Sequence, residues 1–281
     1  LVQNSQKPYE LVIVDQSGTE AADRNKKILK RHSLPKYMYI PLRKHGLSIA
    51  RNTAIRHARG EIMAFTDDDC IVDSRWLSAI KQSFTKHLDV SAVFGKNFPY
   101  KTQKQKGQIC PCTFLNQSQS IVTKPCVHYR YIGFGNNMAI QKSALDAQGN
   151  FKEWLGPGSI GNNAEDAEMA QRLLVNKQRI LYNPDMVVYH NRWLTKNEAR
   201  IQNYSYACGE MACYGYFFFQ GYQFARPVVR ANIMDSARRL KHIGKELFII
   251  HPVSRKRIDI QHHFNIFLSR LRGLAIGAIF S

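Results

Sequence analysis

Ile62-Met63-Ala64-Phe65-Thr66-Asp67-Asp68-Asp69 sets three adjacent carboxylates one residue behind four apolar residues. A short apolar run bounded by Gly60 on one side and acid on the other reads as a buried strand. The same form occurs upstream, where Glu10-Leu11-Val12-Ile13-Val14 ends at Asp15 before the turn-forming Ser17-Gly18-Thr19. Between the two lie a polar helix from about Ala21 to Arg31, a strand at Tyr37 to Ile40, and a helix from Leu47 to His57. Beyond the acids, Ser74 is expected to cap a helix running to about His87, and Val90 to Phe94 to form a further strand. This βαβαβ alternation predicts an α/β fold with a mostly parallel sheet and helices on both faces.

The stretch from Gly95 to about Arg130 loses that pattern and reads as a long excursion loop or small subdomain. Order returns with a strand at Asn136 to Ile140, a glycine-rich loop from Gly156 to Gly161, a helix from about Asn163 to Asn176, and strands near Ile180 and Val187. After Thr195 the character is helical to the end. Residues Arg226 to Ser281 carry eleven Lys and Arg against three Asp and Glu, so a basic helical region (226–281) is expected to follow a main domain (1–225).

The whole chain, 281 residues, is long enough to bury a core without disulfides or metals. Hydrophobic residues at 44% and charged residues at 22% exclude long disorder and fibrous repeats, and there is no internal period. Forty Lys and Arg against 21 Asp and Glu give +19, which predicts anionic partners. No apolar stretch approaches the roughly 20 residues of a membrane span, and the start lacks the order of a signal peptide. Six cysteines (Cys70, Cys110, Cys112, Cys126, Cys208, Cys213) make no disulfide framework in a chain of this length. A cytoplasmic place is therefore expected.

In open α/β sheets ligands bind beyond the carboxyl ends of the strands, which directs attention to Asp15 and to Asp67-Asp68-Asp69. Three adjacent carboxylates repel one another and raise one another's pKa values. A divalent cation relieves that cost, since Mg²⁺ and Mn²⁺ take one or two carboxylates plus substrate phosphate oxygens. A solvated acidic turn ahead of the next helix is the plain alternative.

The words around the acids carry a family resemblance. Gly46-Leu47-Ser48-Ile49-Ala50-Arg51-Asn52, then Ala58-Arg59-Gly60-Glu61, then the strand and Asp67-Asp68-Asp69, resemble the family 2 glycosyltransferases of the GT-A fold. In that family a strand ends in Val-Asp, matched by Asp15, and an Asp-x-Asp metal motif is matched by Asp67 and Asp69. The second half is similar too. Gly133-Phe134-Gly135-Asn136-Asn137-Met138-Ala139 resembles an acceptor-side loop, Gly149-Asn150-Phe151-Lys152-Glu153 follows it, and Glu165-Asp166 matches a Glu-Asp pair that opens a helix. Helical spacing puts Asp166, Met169, Ala170, Leu173 and Leu174 on one stripe, facing inward, and Glu165, Glu168 and Arg172 on a polar one.

The resemblance implies a GT-A type, Rossmann-like sheet flanked by helices with a helical C-terminal extension. It implies a glycosyltransferase, hexosyltransferase in type, that moves a sugar with inversion from a nucleotide-diphosphate sugar to an acceptor hydroxyl in polysaccharide, lipopolysaccharide or other glycan synthesis. Asp166 would be the general base. Mn²⁺ or Mg²⁺ at Asp67 and Asp69, with His190 near the metal or the donor phosphates, would offset charge on the departing diphosphate. Asp15, Arg51, Asn52, Asp67 and Asp68 fall on the donor side, Asp15 as a base or ribose contact. Gly135, Asn136, Asn137 and Glu165 fall on the acceptor side. His190 has a plain alternative as a structural histidine after its strand. The family begins with an additional strand, and Leu1 to Pro8 match the helix after it, so the chain is expected to lack that first strand.

Other features point less directly. Gly156-Pro157-Gly158-Ser159-Ile160-Gly161 matches Gly-x-Gly-x-x-Gly, but no apolar strand precedes it, and it reads as a loop over the acceptor site. Cys110, Cys112, Cys126 and His128 have spacings tighter than usual zinc pairs. The aromatic run Tyr214 to Phe219 reads as core or interface. No nucleic-acid-binding motif accompanies the charge, so nucleic acid is not an expected partner. The basic tail suits either a helix on an anionic membrane surface, which would place the protein at the inner face of the membrane beside a lipid-linked acceptor, or a packed helix with a solvated face. The contrasting function is a catalytically inactive module of the same fold that binds a polyanion or a membrane surface.

Overall fold

The computed structural model describes residues 4, 8, 10–31, 36–100, 107–125, 132–248 and 254–281, the side chains of 242–248 and 254–259 excepted. Most of the Leu1 to Pro8 match, and Cys126 and His128 of the zinc reading, lie outside the described residues.

The first half runs β1 (Leu11–Asp15), α1 (Thr19–Arg31), β2 (Tyr37–Pro41), α2 (Leu47–His57), β3 (Ile62–Phe65), β4 (Cys70–Val72), α3 (Trp76–Lys86) and β5 (Val90–Pro99). The second runs β6 (Ser120–Val122), a 3-10 turn at Gly135–Asn137, β7 (Met138–Gln141), α4 (Lys142–Gln148), α5 (Glu165–Val175) and β8 (Arg179–His190). Three long helices close the chain: α6 (Lys196–Phe219), α7 (Arg226–Phe248) and α8 (Ser254–Phe280).

The fold is α/β with helices flanking a central sheet, but the sheet is mixed where a mostly parallel one was expected. β1 and β2 form a parallel pair of their own. The larger sheet runs β3-β7-β5-β8-β4, with β6 beside β8. There β5 and β8 are parallel, while β3–β7, β5–β7, β4–β8 and β6–β8 are antiparallel. The short link Thr66–Asp69 explains part of this, because a parallel neighbour needs a crossover of a dozen or more residues. β4 instead pairs at the opposite edge from β3, so the acidic link crosses the end of the sheet.

Period-2 alternation divides the core between the two faces. Ala92, Phe94, Met138, Ile140 and Ile180 meet Met169, Ala170, Leu173 and Leu174 of α5. Val93, Ala139, Leu181, Met186 and Val188 meet Trp76, Ala79, Ile80 and Phe84 of α3. The two strands expected near Ile180 and Val187 are one strand, β8, whose pairing with β5 slips between Gly95 and Lys96. Asn137 fills that irregularity: its Nδ2 donates to the carbonyls of Lys96 and Met186, both at 2.9 Å, and its Oδ1 accepts from Trp76 Nε1 at 2.8 Å. A Cβ on Gly95 would lie 2.1 Å from the Met186 carbonyl and 2.5 Å from Asn137 Nδ2, so only glycine fits there.

Ser74 is not the cap of α3. Asp73 makes the turn, its Oδ1 accepting from Arg75 N at 2.9 Å and its carbonyl from Trp76 N at 3.0 Å. Asn136 and Asn137, expected in a strand, form the 3-10 turn before it. Thr195 and Glu198 build a capping box at the start of α6. α8 lies along α6 because Gly273 and Gly277 permit it; Cβ atoms there would fall 2.2 Å from the Cys208 carbonyl and 2.6 Å from Tyr216 N. Phe280 stacks on Trp154 with centroids 4.7 Å apart. Tyr214, Tyr216 and Phe217 of the aromatic run are buried core.

Candidate active site

The acidic link, the N-terminal half of α2, the Gly135–Asn137 turn, the start of α5 and the end of β8 converge at one end of the sheet. Arg51 of α2 is the hub. Its Nη1 donates to Glu165 Oε1 at 2.8 Å, and its Nη2 to Asp67 Oδ1 and the Gly135 carbonyl, both at 3.2 Å. Phe151 lies under the guanidinium, 5.4 Å from Cζ to ring centroid. Asp166 joins through Gly135, whose N–H donates to Asp166 Oδ2 at 2.7 Å. A Cβ on Gly135 would fall 2.8 Å from Asp166 Cβ and 3.1 Å from Arg51 Nη1, so the turn approaches this closely because residue 135 has no side chain.

One guanidinium thus faces three carboxylates. Burial works against the Arg51 charge, but Glu165, Asp67 and Asp166 outweigh it and hold the guanidinium cationic. Burial and then Asp166 push Glu165 up, with Arg51 pulling it back. Burial pushes Asp67 up, Arg51 opposes, and Asp69 adds to the rise. The negative charge in excess favours either a shared proton or a cation. Asp67, with 31% of its side chain exposed against 6% for Arg51 and 5% for Glu165, is the member open to an incoming ligand. Glu165 Oε2 is buried with no hydrogen-bond partner among the described residues.

Asp69 belongs to a second cluster. His190 Nε2 lies 3.3 Å from Asp69 Oδ2, and Cys70 Sγ donates to Asp69 Oδ1 at 3.6 Å. The ligating atoms of Asp69, Cys70 and His190 all lie within 4.8 Å of one another, a set able to hold a metal ion. His190 Nδ1 is 2.9 Å from the Pro111 carbonyl, which fixes the ring. Burial alone would lower the His190 pKa, but the hydrogen bonds to Asp69 and Cys110, the Asp69 charge and the Pro111 carbonyl raise it to about 10. The same hydrogen bond from His190 is the main cause holding Asp69 below its ordinary value. Burial, then Asp67 and Asp69, push the Cys70 thiol up.

The remaining sequence-expected residues are dispersed. Asp68 is exposed at the turn. Asp15 ends β1, where it accepts from Ser17 N at 2.7 Å and Asn25 Nδ2 at 2.8 Å, and from the Ser17 and Tyr39 hydroxyls. Asn52 turns toward Phe151, Nδ2 donating to its carbonyl and Oδ1 accepting from its N–H, both at 2.9 Å. Asn137 is engaged in the β5–β8 irregularity, and Asn136 Nδ2 donates to Cys70 Sγ at 3.4 Å. The polar stripe of α5 is buried as well: Glu168 binds Arg172, whose guanidinium also donates to the carbonyls of Gln148, Gly149 and Asn150. The Gly156–Gly161 loop packs on the start of α2, where the Pro157 carbonyl accepts from Leu47 N at 2.9 Å. Nothing in the sequence singles out Cys70 beyond its place next to Asp69.

Asp15 carries a pH prediction. Burial raises its pKa, but the hydrogen bonds from Ser17, Tyr39 and Asn25 outweigh this and hold it well below the ordinary carboxylate value. A carboxylate with a depressed folded pKa contributes stability that is full above its unfolded value, about pH 4, and lost as pH falls through the folded one. Asp15→Asn should therefore flatten the loss of stability below pH 4. Chemical denaturation at pH 7 and pH 3 measures it, and equal pH slopes for both proteins would contradict it.

A family model described as Glycosyl transferase family 2 matches residues 1–146. A search of curated proteins finds no match. Among solved structures, the mannosyltransferase PcManGT from Pyrobaculum calidifontis, in complex with GDP-Man and Mn²⁺, is similar at 17% identity and a TM-score of 0.59, over 97% of this chain and 80% of that one. S. aureus TarS 1–349 is similar at 15% identity and a TM-score of 0.52, over 76% of this chain and 58% of that one. Its complex with UDP-GlcNAc gives 18% identity and a TM-score of 0.52, over 75% and 60%. At these identities the likeness is one of fold, and the chain spans less than two thirds of the TarS 1–349 chain.

Proposed function

This chain belongs to glycosyl transferase family 2 and is a glycosyltransferase, and from that premise we propose that it moves a sugar from a nucleotide-diphosphate sugar to an acceptor hydroxyl with inversion at the anomeric carbon. The observation that carries the reading is the meeting of Asp166, seated on the Gly135 N–H, with Arg51 and the acidic link at one end of the sheet. The similar structures, one in complex with GDP-Man and Mn²⁺ and another with UDP-GlcNAc, support a nucleotide-sugar donor.

In this reading Asp166 is the general base. A carboxylate held by the Gly135 and Ala167 N–H groups, at 2.7 and 2.8 Å, keeps lone pairs free for the acceptor hydroxyl proton. The acceptor oxygen forms the new bond to the anomeric carbon as the diphosphate leaves with the electron pair of the old one, so no covalent enzyme intermediate is needed. Arg51 keeps Asp67 in place at the donor side, and Asp15 faces the nucleoside. Asp69 and His190 fit a divalent ion, Mn²⁺ or Mg²⁺, with Asp67 alongside. Such an ion supplies charge neutralisation for the leaving diphosphate.

The test is calorimetry of the full chain with UDP and with GDP. One of them should bind with Mn²⁺ present and give little heat with a chelator, and Asp69→Ala should abolish the metal-dependent part. Equal affinity with and without chelator would remove the metal from the proposal. A screen of nucleotide sugars for hydrolysis then identifies the donor.

A glycan or lipid-linked acceptor, reached from the cytoplasmic face of a membrane, is supported by the last two helices. No helix among the described residues is long and apolar enough to cross a membrane. Ile233, Met234 and Leu240 of α7 and Phe264, Leu268 and Leu271 of α8 are nevertheless exposed, near the exposed Arg230, Arg238 and Lys241. Each Lys or Arg near an anionic surface contributes on the order of 1 kcal/mol. The protein should float with anionic vesicles, less so at high salt. Leu240→Ser with Leu268→Ser should weaken flotation without uncovering α6. Absence of flotation would leave these helices as packing elements alone.

A further inference from the structure

We propose that Cys70 ligates the divalent cation together with Asp69 and His190, so that this site selects ions that accept sulfur, such as Zn²⁺, Co²⁺ and Cd²⁺, over Mg²⁺. The inference rests on the reading that a cation is held at Asp69, and it changes which cation.

Three independent features of the chain converge on the sulfur. The first is register. Cys70 and His190 are direct cross-strand partners in the antiparallel β4–β8 pair, which sends both side chains to the same face of the sheet. The second is spacing. A tetrahedral ion with bonds of about 2.0–2.3 Å separates its ligand atoms by about 3.3–3.7 Å. His190 Nε2 lies 3.3 Å from Asp69 Oδ2 and Cys70 Sγ 3.6 Å from Asp69 Oδ1, the two oxygens of one carboxylate, and one ligand atom from each of the three residues lies within 4.8 Å of the others, within about an ångström of that spacing.

The third is the state of the neighbours. With Nδ1 placed 2.9 Å from the Pro111 carbonyl, the His190 ring is fixed with Nε2 turned toward Asp69 and Cys70, the orientation of a metal-ligating imidazole whose other nitrogen is held by a carbonyl. Asn136 Nδ2 donates to Cys70 Sγ at 3.4 Å, a contact that holds the sulfur in place. When a metal–sulfur bond forms, the S–H bond breaks, the sulfur keeps the electron pair, and the proton leaves to solvent. Hard ions such as Mg²⁺ favour oxygen, whereas thiolate favours softer ones. Three protein ligands would leave one position for a donor phosphate oxygen. Cys110 Sγ lies 3.6 Å from His190 Nδ1, on the nitrogen turned to Pro111, and so falls outside the ligand set.

The test uses the full chain and the metal ions alone. Titration with Co²⁺ should produce a near-ultraviolet sulfur-to-cobalt charge-transfer band, which Zn²⁺ displaces. The band should disappear in Cys70→Ser and persist in Cys110→Ser. By calorimetry, Cys70→Ser should weaken Cd²⁺ binding by about tenfold or more while leaving Mn²⁺ little changed. A measurement needing no variant accompanies these: Cd²⁺ should protect Cys70 of the unaltered protein from alkylation, read on the peptide by mass spectrometry.

Mn²⁺ binding that depends on Asp69 without any charge-transfer band, or Cys70 alkylation unchanged by Cd²⁺, would overturn the sulfur ligand and leave the cation reading standing. A band that survives in Cys70→Ser would assign the sulfur to another cysteine and overturn it too. Failure of every ion to bind would remove both readings.

Discussion

Asp166→Asn is expected to lower turnover by about 10²–10⁴-fold, the contribution of a positioned general base, while nucleotide binding stays near wild type. The amide oxygen can still accept from the Gly135 N–H, so the turn that seats residue 166 should persist. Stability should not fall, because Asp166 is one of three carboxylates facing a single guanidinium and its charge opposes that of Glu165. The melting temperature is therefore expected to equal or exceed that of the wild type. Transfer or hydrolysis rates with the donor found by screening, measured beside the melting curve, decide the matter. A full-length Asp166→Asn protein with wild-type turnover would place the base elsewhere.

Arg51→Met is expected to have the largest effect on stability, a loss of about 3–5 kcal/mol. The guanidinium is 6% exposed and holds Glu165, Asp67 and the Gly135 carbonyl at once, so its removal leaves buried carboxylates with no countercharge. Loss on that scale is a large share of the 5–15 kcal/mol typical of a folded chain. Arg51→Lys should recover little of it, since a compact ammonium cannot reproduce the planar fork that reaches three acceptors. Urea denaturation followed by tryptophan fluorescence gives the number. A midpoint close to wild type for Arg51→Met would show that the cluster is held by something other than this side chain.

Much of the frame was legible because it is local. The apolar run Ile62–Phe65 is β3 and the segment Leu47–His57 is α2, as their patterns indicate, since periodicity and a following turn need no knowledge of the rest of the chain. The resemblance carried by Gly46 to Asn52 and Asp67 to Asp69 likewise named the family, which the match over residues 1–146 bears out.

Strand direction was not legible, because pairing is a choice among distant partners. β4 is three residues long, and only the vacancy beside β8 makes it a strand. β8 reads as two strands because Pro184 and Asp185 interrupt its pattern, and Asn137, 49 residues before Met186, supplies the hydrogen bonds that carry it across. Helical periodicity likewise separates an apolar from a polar stripe in α5 but cannot say that both are covered. Glu165 and Glu168 are buried because Arg51 and Arg172 meet them, and a charge enters the interior only with such a partner.

The sequence by itself determined the local elements around the acids, the family, and the residue types available for chemistry, because each of these is written in neighbouring positions. The tertiary structure decided which residues share a cluster: Arg51 with Asp67, Glu165 and Asp166, and Asp69 with Cys70 and His190. Those sets draw on five separate elements and links, and what brings them together is the mixed pairing of β4 and β7 around β5 and β8, a long-range packing solution that no local pattern contains.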